Sequence, residues 1–188
     1  MSDDRLPPAI LLKFPEYAKL IAELIGAWNT LEDQSRLLFV AFTYIHPTQS
    51  ALVMSAMASS QARLDVIRAA GRFALKNDPS RLKELEDLFD FLEKRLRVRN
   101  QYAHAVYVTN DQDQLCILRR RYEFSDDPKS IRIVDFEALK SEILLSLDAG
   151  RRLSKFHDLL LDEMDQKLWQ ALQETWTSLP FPRPTNQQ

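Results

Sequence analysis

The chain has 188 residues, of which 45% are hydrophobic and 28% charged, with a formal net charge of -2. That supplies a core without help from a metal or disulfide. It excludes the strongly basic balance of a wholesale electrostatic nucleic-acid binder, though not a local basic patch.

The N-terminal stretch MSDDRLPP is acidic and polar, with none of the apolar run of a secretory signal. No apolar run reaches the length of a membrane span, so a cytoplasmic protein with no membrane partner is expected. From about Pro15 to Ile45, apolar residues recur three and four apart, with Ser35 the only break: Tyr17, Ile21, Leu24, Trp28, Leu31, Leu38, Phe42 and Ile45. This predicts a long amphipathic helix, entered at Pro15 and ended by His46-Pro47. Leu20, Ile25 and Phe39 widen its apolar face beyond one stripe, which calls for a partner surface.

A second helix is predicted from about Thr48, a plausible N-cap, to Leu75, with many alanines and serines along it. The turn Asn77-Asp78-Pro79-Ser80 follows, with Asp78 or Ser80 capping a third helix. That helix carries Leu82, Leu85, Phe89, Leu92 and Leu96. Its acids precede its bases, as the helix dipole favours. The period then shortens. Ala105–Val108, Leu115–Leu118 and Ile131–Val134 read as strands of a small antiparallel meander, an insert over about 105–134. Asp135 caps a fourth helix reaching at least Leu160, and Leu168, Trp169, Leu172 and Trp176 form a helical stretch that either continues it or stands as a fifth helix. The tail, about 179–188, has three prolines and no period. The predicted fold is mainly α: a single domain over 1–188, an antiparallel bundle of four or five helices with a small antiparallel β insert between the third and fourth.

Few groups are available for chemistry. The lone Cys116 excludes an intramolecular disulfide and all but excludes a cysteine-based zinc site. It reads as a buried thiol in a strand. The three glycines sit in no phosphate-cradling motif. His46 reads as a helix cap. His157, near Asp158 and Asp162, lacks a third metal ligand. Glu84, Asp87 and Asp90 read as a solvated helix face. Trp28, Trp169 and Trp176 read as packing.

The end of the third helix differs. Continuing its apolar stripe past Leu96 arrives at Arg99 and Ala103, so an arginine stands where the helix otherwise offers leucine. A guanidinium there needs an anion or a hydrogen-bonding partner. A carboxylate from another helix, Glu32, Asp33 or Asp65, could be that partner, and His104 could simply close the helix. Asn100 and His104 share a face, whereas Arg99 and His104 lie about 140° apart around the axis. A symmetric pair of such helices would set two arginines and two histidines around one cleft. Between Lys94 and Arg121 the net charge is +5, a focused patch that suits a polyanion. Arg95, Arg97, Arg119, Arg120 and Arg121 would supply its charge, and Tyr102, Tyr107 and Tyr122 could stack bases beside it.

Arg99-Asn100-x-x-x-His104 resembles the R-polar-x-x-x-H signature of the HEPN superfamily, and the bundle layout from about residue 15 to 165 resembles that family's four-helix core. The resemblance implies a metal-independent endoribonuclease acting on single-stranded RNA as a homodimer, with Arg99, Asn100 and His104 catalytic and no cofactor. It also implies a prokaryotic defence or toxin–antitoxin setting, with a cognate antitoxin or other protein as a partner. The alternative is an inactive HEPN-like module that binds a partner protein or a nucleotide. The residue types suit RNA cleavage. A histidine titrating near neutrality can move the proton of a 2′-hydroxyl. An arginine fork can hold phosphate oxygens, and Asn100 can orient either group.

Overall fold

The computed structural model describes residues 10–118 and 131–178, with side chains as far as Glu163. A 3-10 turn, Ile10–Lys13, leads into α1, Pro15–Thr43. Then come α2, Pro47–Ser55; α3, Ser60–Ala74; and α4, Pro79–Ala103. Strands β1, Val106–Thr109; β2, Leu115–Leu118; and β3, Ile131–Ile133 precede α5, Phe136–Ser178. The fold is mainly α, with the small antiparallel sheet standing between the last two long helices. Among the described residues no single helix is long and apolar enough to cross a membrane.

The predicted second helix is two helices. Ser59 adopts an extended backbone, and its Oγ accepts from Ala62 N at 3.1 Å, a capping geometry that starts α3 afresh. The open carbonyls at the end of α2 are met by Arg63, which donates to Met54 O at 3.0 Å and Met57 O at 3.3 Å. Helical periodicity ran through this break because its residues are small and fit either conformation. The cap of α2 is His46 rather than Thr48. Its Nδ1 accepts from Thr48 N, while Gln49 Oε1 accepts from His46 N, each at 3.2 Å. At the other predicted starts, Asp78 Oδ1 accepts from Arg81 N and Asp135 Oδ1 accepts from Ala138 N, each at 3.0 Å. The two helical stretches after Asp135 form one helix of 43 residues.

Helix directions follow from cross-helix contacts. Arg81 meets Glu163 and Arg95 meets Glu142, so α4 and α5 are antiparallel. Tyr17 meets Phe136 and Gln34 meets Ser154, so α1 and α5 run in the same direction. The main core, with Trp28, Leu64, Phe89, Leu92 and Phe156, lies between α1, α3, α4 and α5. A second core joins the start of α1, the end of α4 and the start of α5 to the sheet, through Leu24, Tyr102, Leu115, Ile117 and Leu139. The sheet order is β1-β2-β3, with Tyr107 opposite Ile117 and Ile117 opposite Arg132. Cys116, on the middle strand, is buried, and Trp28 is core, as their sequence positions suggested. The proline-rich tail and Trp169 and Trp176 side chains lie outside what the structure describes.

Gly71 is where α3 approaches its neighbours most closely. A methyl there would sit 2.5 Å from Leu85 Cδ2 and 2.9 Å from Phe42 Cε2. Alanine improves helix propensity by about 1 kcal/mol, but overpacking costs about 1–3 kcal/mol. Gly71→Ala is therefore expected to lower the urea midpoint, and a raised midpoint would contradict this packing.

Candidate functional site

The site is built on the last turn of α4. The helix ends because a β-like run starts at Ala105, and its last carbonyls find partners locally. His104 N donates to Asn100 O at 3.2 Å, and the Tyr107 hydroxyl donates to Tyr102 O at 2.6 Å. His104 is thus the C-terminal cap, and its side chain is exposed. Asn100 is exposed as well.

Arg99 is half-buried rather than part of the core, because Val98 and Tyr102 take over the packing beyond Leu96. Its Nη1 donates to Asn100 Oδ1 at 3.0 Å, and its buried Nε has no partner among the described residues. The three carboxylates considered from the sequence are engaged elsewhere. Glu32 pairs with Arg63 at 2.6 Å, Asp33 with Arg36 at 3.0 Å, and Asp65 accepts from Gln61 at 2.9 Å. Each of the other half-buried arginines has a carboxylate: Arg36 with Asp33, Arg63 with Glu32, Arg68 with Glu86, Arg81 with Glu163, Arg95 with Glu142. Arg99 alone among these has none within the described residues. Arg99 and Asn100 are therefore held together as one donor group, with His104 one turn further on.

The remaining predicted contacts divide. Arg95 is drawn inward. It pairs with Glu142, lies against the Phe91 ring, and is only 11% exposed in its side chain. Tyr102 is buried and closed to stacking; burial raises its hydroxyl pKa. Tyr107 is half-buried, and burial pushes its hydroxyl up to about 12. Arg97 is 75% exposed in its side chain and reaches Glu93 at only 3.8 Å. Arg119, Arg120, Arg121 and Tyr122 lie outside the described residues. Sequence reading missed Arg132, an exposed residue on β3 whose charge is felt at the Tyr102 hydroxyl. Its signal was the alternation Ile131-Arg132-Ile133, which puts one basic residue on the sheet face that carries Tyr107 and Ile117.

The acidic stretch of α4 is not wholly a solvated face. Glu86, Asp90 and Glu93, spaced four and three apart, meet Arg68 of α3, and Glu86 also pairs with Arg72. The charge order along α4 thus reflects its neighbours as well as its dipole. The described residues hold no cluster able to bind a metal ion. Among the described residues His157 reaches only Asp158, at 3.7 Å.

Hydrogen bonds from Arg72, opposed by burial and reinforced by Arg68, hold the Glu86 carboxyl down at about 2. An ordinary glutamate titrates near 4.3. A depressed value stabilises the fold above the unfolded pKa, and that stability is lost as pH falls toward 2. Glu86→Gln is expected to cost about 1–2 kcal/mol at pH 7, between exposed-pair and buried-pair values. The gap to the parent should close between pH 5 and 2 in urea denaturation. A gap independent of pH would contradict the ion pair.

Comparison of the chain with models of protein families, with curated proteins and with solved structures finds no match.

Proposed function

We propose that this protein is a metal-independent endoribonuclease of HEPN-like character, cutting single-stranded RNA as a homodimer through the end of α4. The observation that carries this reading is the exception among the arginines: Arg99 is half-buried, bonded to Asn100, and without a carboxylate among the described residues. A guanidinium so placed is available for phosphate oxygens, which it can hold with two parallel donors. His104, exposed one turn away, takes the proton of the 2′-hydroxyl. The 2′-oxygen then attacks phosphorus, the bond to the 5′-oxygen breaks as that oxygen takes a proton from solvent water, and a 2′,3′-cyclic phosphate remains; His104 returns its proton to solvent. Arg99 offsets the charge of the five-coordinate phosphorus, and Asn100 fixes the guanidinium plane.

The test is cleavage of unstructured RNAs by the purified full chain near pH 7 with EDTA present. Products ending in a cyclic phosphate are the expected result. Cleavage that requires a divalent metal overturns the mechanism. A second reading, an inactive module that binds a partner protein or a nucleotide, is favoured by the commitment of Arg95 and Tyr102 to the fold. Absence of cleavage across varied RNAs, with retained binding, supports it instead.

A further inference from the structure

The two outer strands of the sheet differ in what covers them. The 3-10 turn Ile10–Lys13 lies against β1, whereas every residue of β3 is exposed. Val134 N donates to Leu115 O at 2.9 Å, which sets the phase of the ladder between β2 and β3. In an antiparallel ladder, the main-chain groups of successive residues point alternately toward the neighbour and away from it. Val134 and Arg132 therefore face β2, and the N–H and C=O groups of Ile131 and Ile133 face outward. Those outward groups have no hydrogen-bond partner among the described residues.

The side chains alternate as well. The register puts Val106, Val108, Cys116, Leu118, Ile131 and Ile133 on one face of the sheet, so that face carries no charge. At its β3 border Ile131 is 43% exposed and Ile133 50% exposed. Arg132 stands between them on the opposite face and is exposed too. Two acids share with Arg132 an influence on the Tyr102 hydroxyl, Asp135 and Glu142. Both are engaged elsewhere, Asp135 as the cap of α5 and Glu142 with Arg95. Arg132 therefore makes no ion pair among the described residues. In three residues β3 offers two sets of main-chain donors and acceptors, two apolar side chains on one face and one cation on the other.

We propose that β3 takes up an extended segment of a partner protein as a fourth strand, with an acidic residue opposite Arg132 and apolar residues opposite Ile131 and Ile133. Main-chain bonds to an open edge give such a contact its affinity, and the alternating side chains give it specificity. The residue opposite Arg132 lies on the same face as the guanidinium, within reach of an ion pair, and its two neighbours extend the apolar face. RNA has no row of alternating N–H and C=O groups to meet Ile131 and Ile133, so the edge favours a peptide over a nucleic acid. A second copy of β3 in full antiparallel register would set Arg132 against Arg132, and like charges directly opposite are destabilising. The fitting strand is therefore acidic and belongs to another protein. Arg99, Asn100 and His104 take no part in this surface, so it stands or falls separately from the ribonuclease reading.

Titration of the full chain into the blocked, fluorophore-labelled peptide Thr-Thr-Val-Glu-Val-Thr-Thr, read by anisotropy, tests it. Saturable binding with Kd below about 1 mM is expected. Methylating both valine amide nitrogens removes the donors that would meet β3 and should abolish binding, although the side chains are unchanged. Arg132→Glu is expected to raise Kd at least about tenfold. The same variant should bind the peptide with lysine in place of glutamate at near the parent's affinity. Arg132 is exposed, and circular dichroism checks that the variant keeps its helices. No saturable binding up to about 1 mM overturns the proposal. So does a Kd that N-methylation or Arg132→Glu leaves unmoved, or a loss that the lysine peptide fails to restore. An Arg132→Glu chain that binds RNA less well but the peptide equally assigns Arg132 to RNA instead. The peptide Kd of His104→Ala is expected to equal the parent's. A chain that binds the peptide and cleaves no RNA upholds this surface and fails the ribonuclease reading alone.

Discussion

Replacing His104 with alanine is expected to lower RNA cleavage by about 10²–10⁴-fold, the usual contribution of a general acid or base, with no change in helix content. His104 is exposed and its backbone, not its ring, closes α4. The substitution therefore removes the imidazole and keeps the fold. Arg99→Ala is expected to lower cleavage comparably and to cost under about 1 kcal/mol of stability, because Arg99 lies outside the core. Arg99→Lys keeps the charge and loses the fork. It should fall between parent and alanine if phosphate is gripped by two donors, and match the parent if only charge is needed. Cleavage that survives both alanine substitutions clears these residues and moves the activity elsewhere.

The second large effect is on stability. Phe89 is fully buried on α4, in the core shared with Trp28, Leu64 and Phe156. Phe89→Ala leaves a cavity where four helices meet and is expected to cost about 3–5 kcal/mol. Against a typical total of about 5–15 kcal/mol, that is enough to unfold much of the chain near its midpoint temperature. Urea denaturation reads the loss directly. The two predictions also check each other. The activity of Phe89→Ala should track its folded fraction, whereas His104→Ala should be inactive and folded. A Phe89→Ala protein with an unchanged midpoint would place this ring outside the core.

The residues of α4 show why part of the site was readable. Its stripe, its Asp78 cap and its end before a β-like run are local properties, and each follows from side-chain size and nearby hydrogen bonds. The same holds for Asp135, for the three strands and for the buried Cys116. Arg99 was found because it interrupts that local pattern. The assignment of Arg95 and Tyr102 to an RNA surface could not be settled in this way. Whether a basic or aromatic side chain meets solvent or another helix depends on residues distant in sequence, here Glu142 for Arg95 and the sheet for Tyr102.

By itself, then, the sequence determined the mainly α class, the long first helix, the insert of three short strands and the motif at a helix end, because periodicity and capping act over a few residues. Only the tertiary structure decided three things. The second helix divides at Ser59, where Arg63 meets the freed carbonyls and also bonds Glu32 thirty-one residues back. The acids of α4 meet Arg68 and Arg72 on α3. Arg99 is left without a carboxylate among the described residues, since Glu32, Asp33 and Asp65 are bound elsewhere. In each case the partner of a charged side chain is chosen by which helices pack side by side, and sequence spacing along one helix carries no record of that choice.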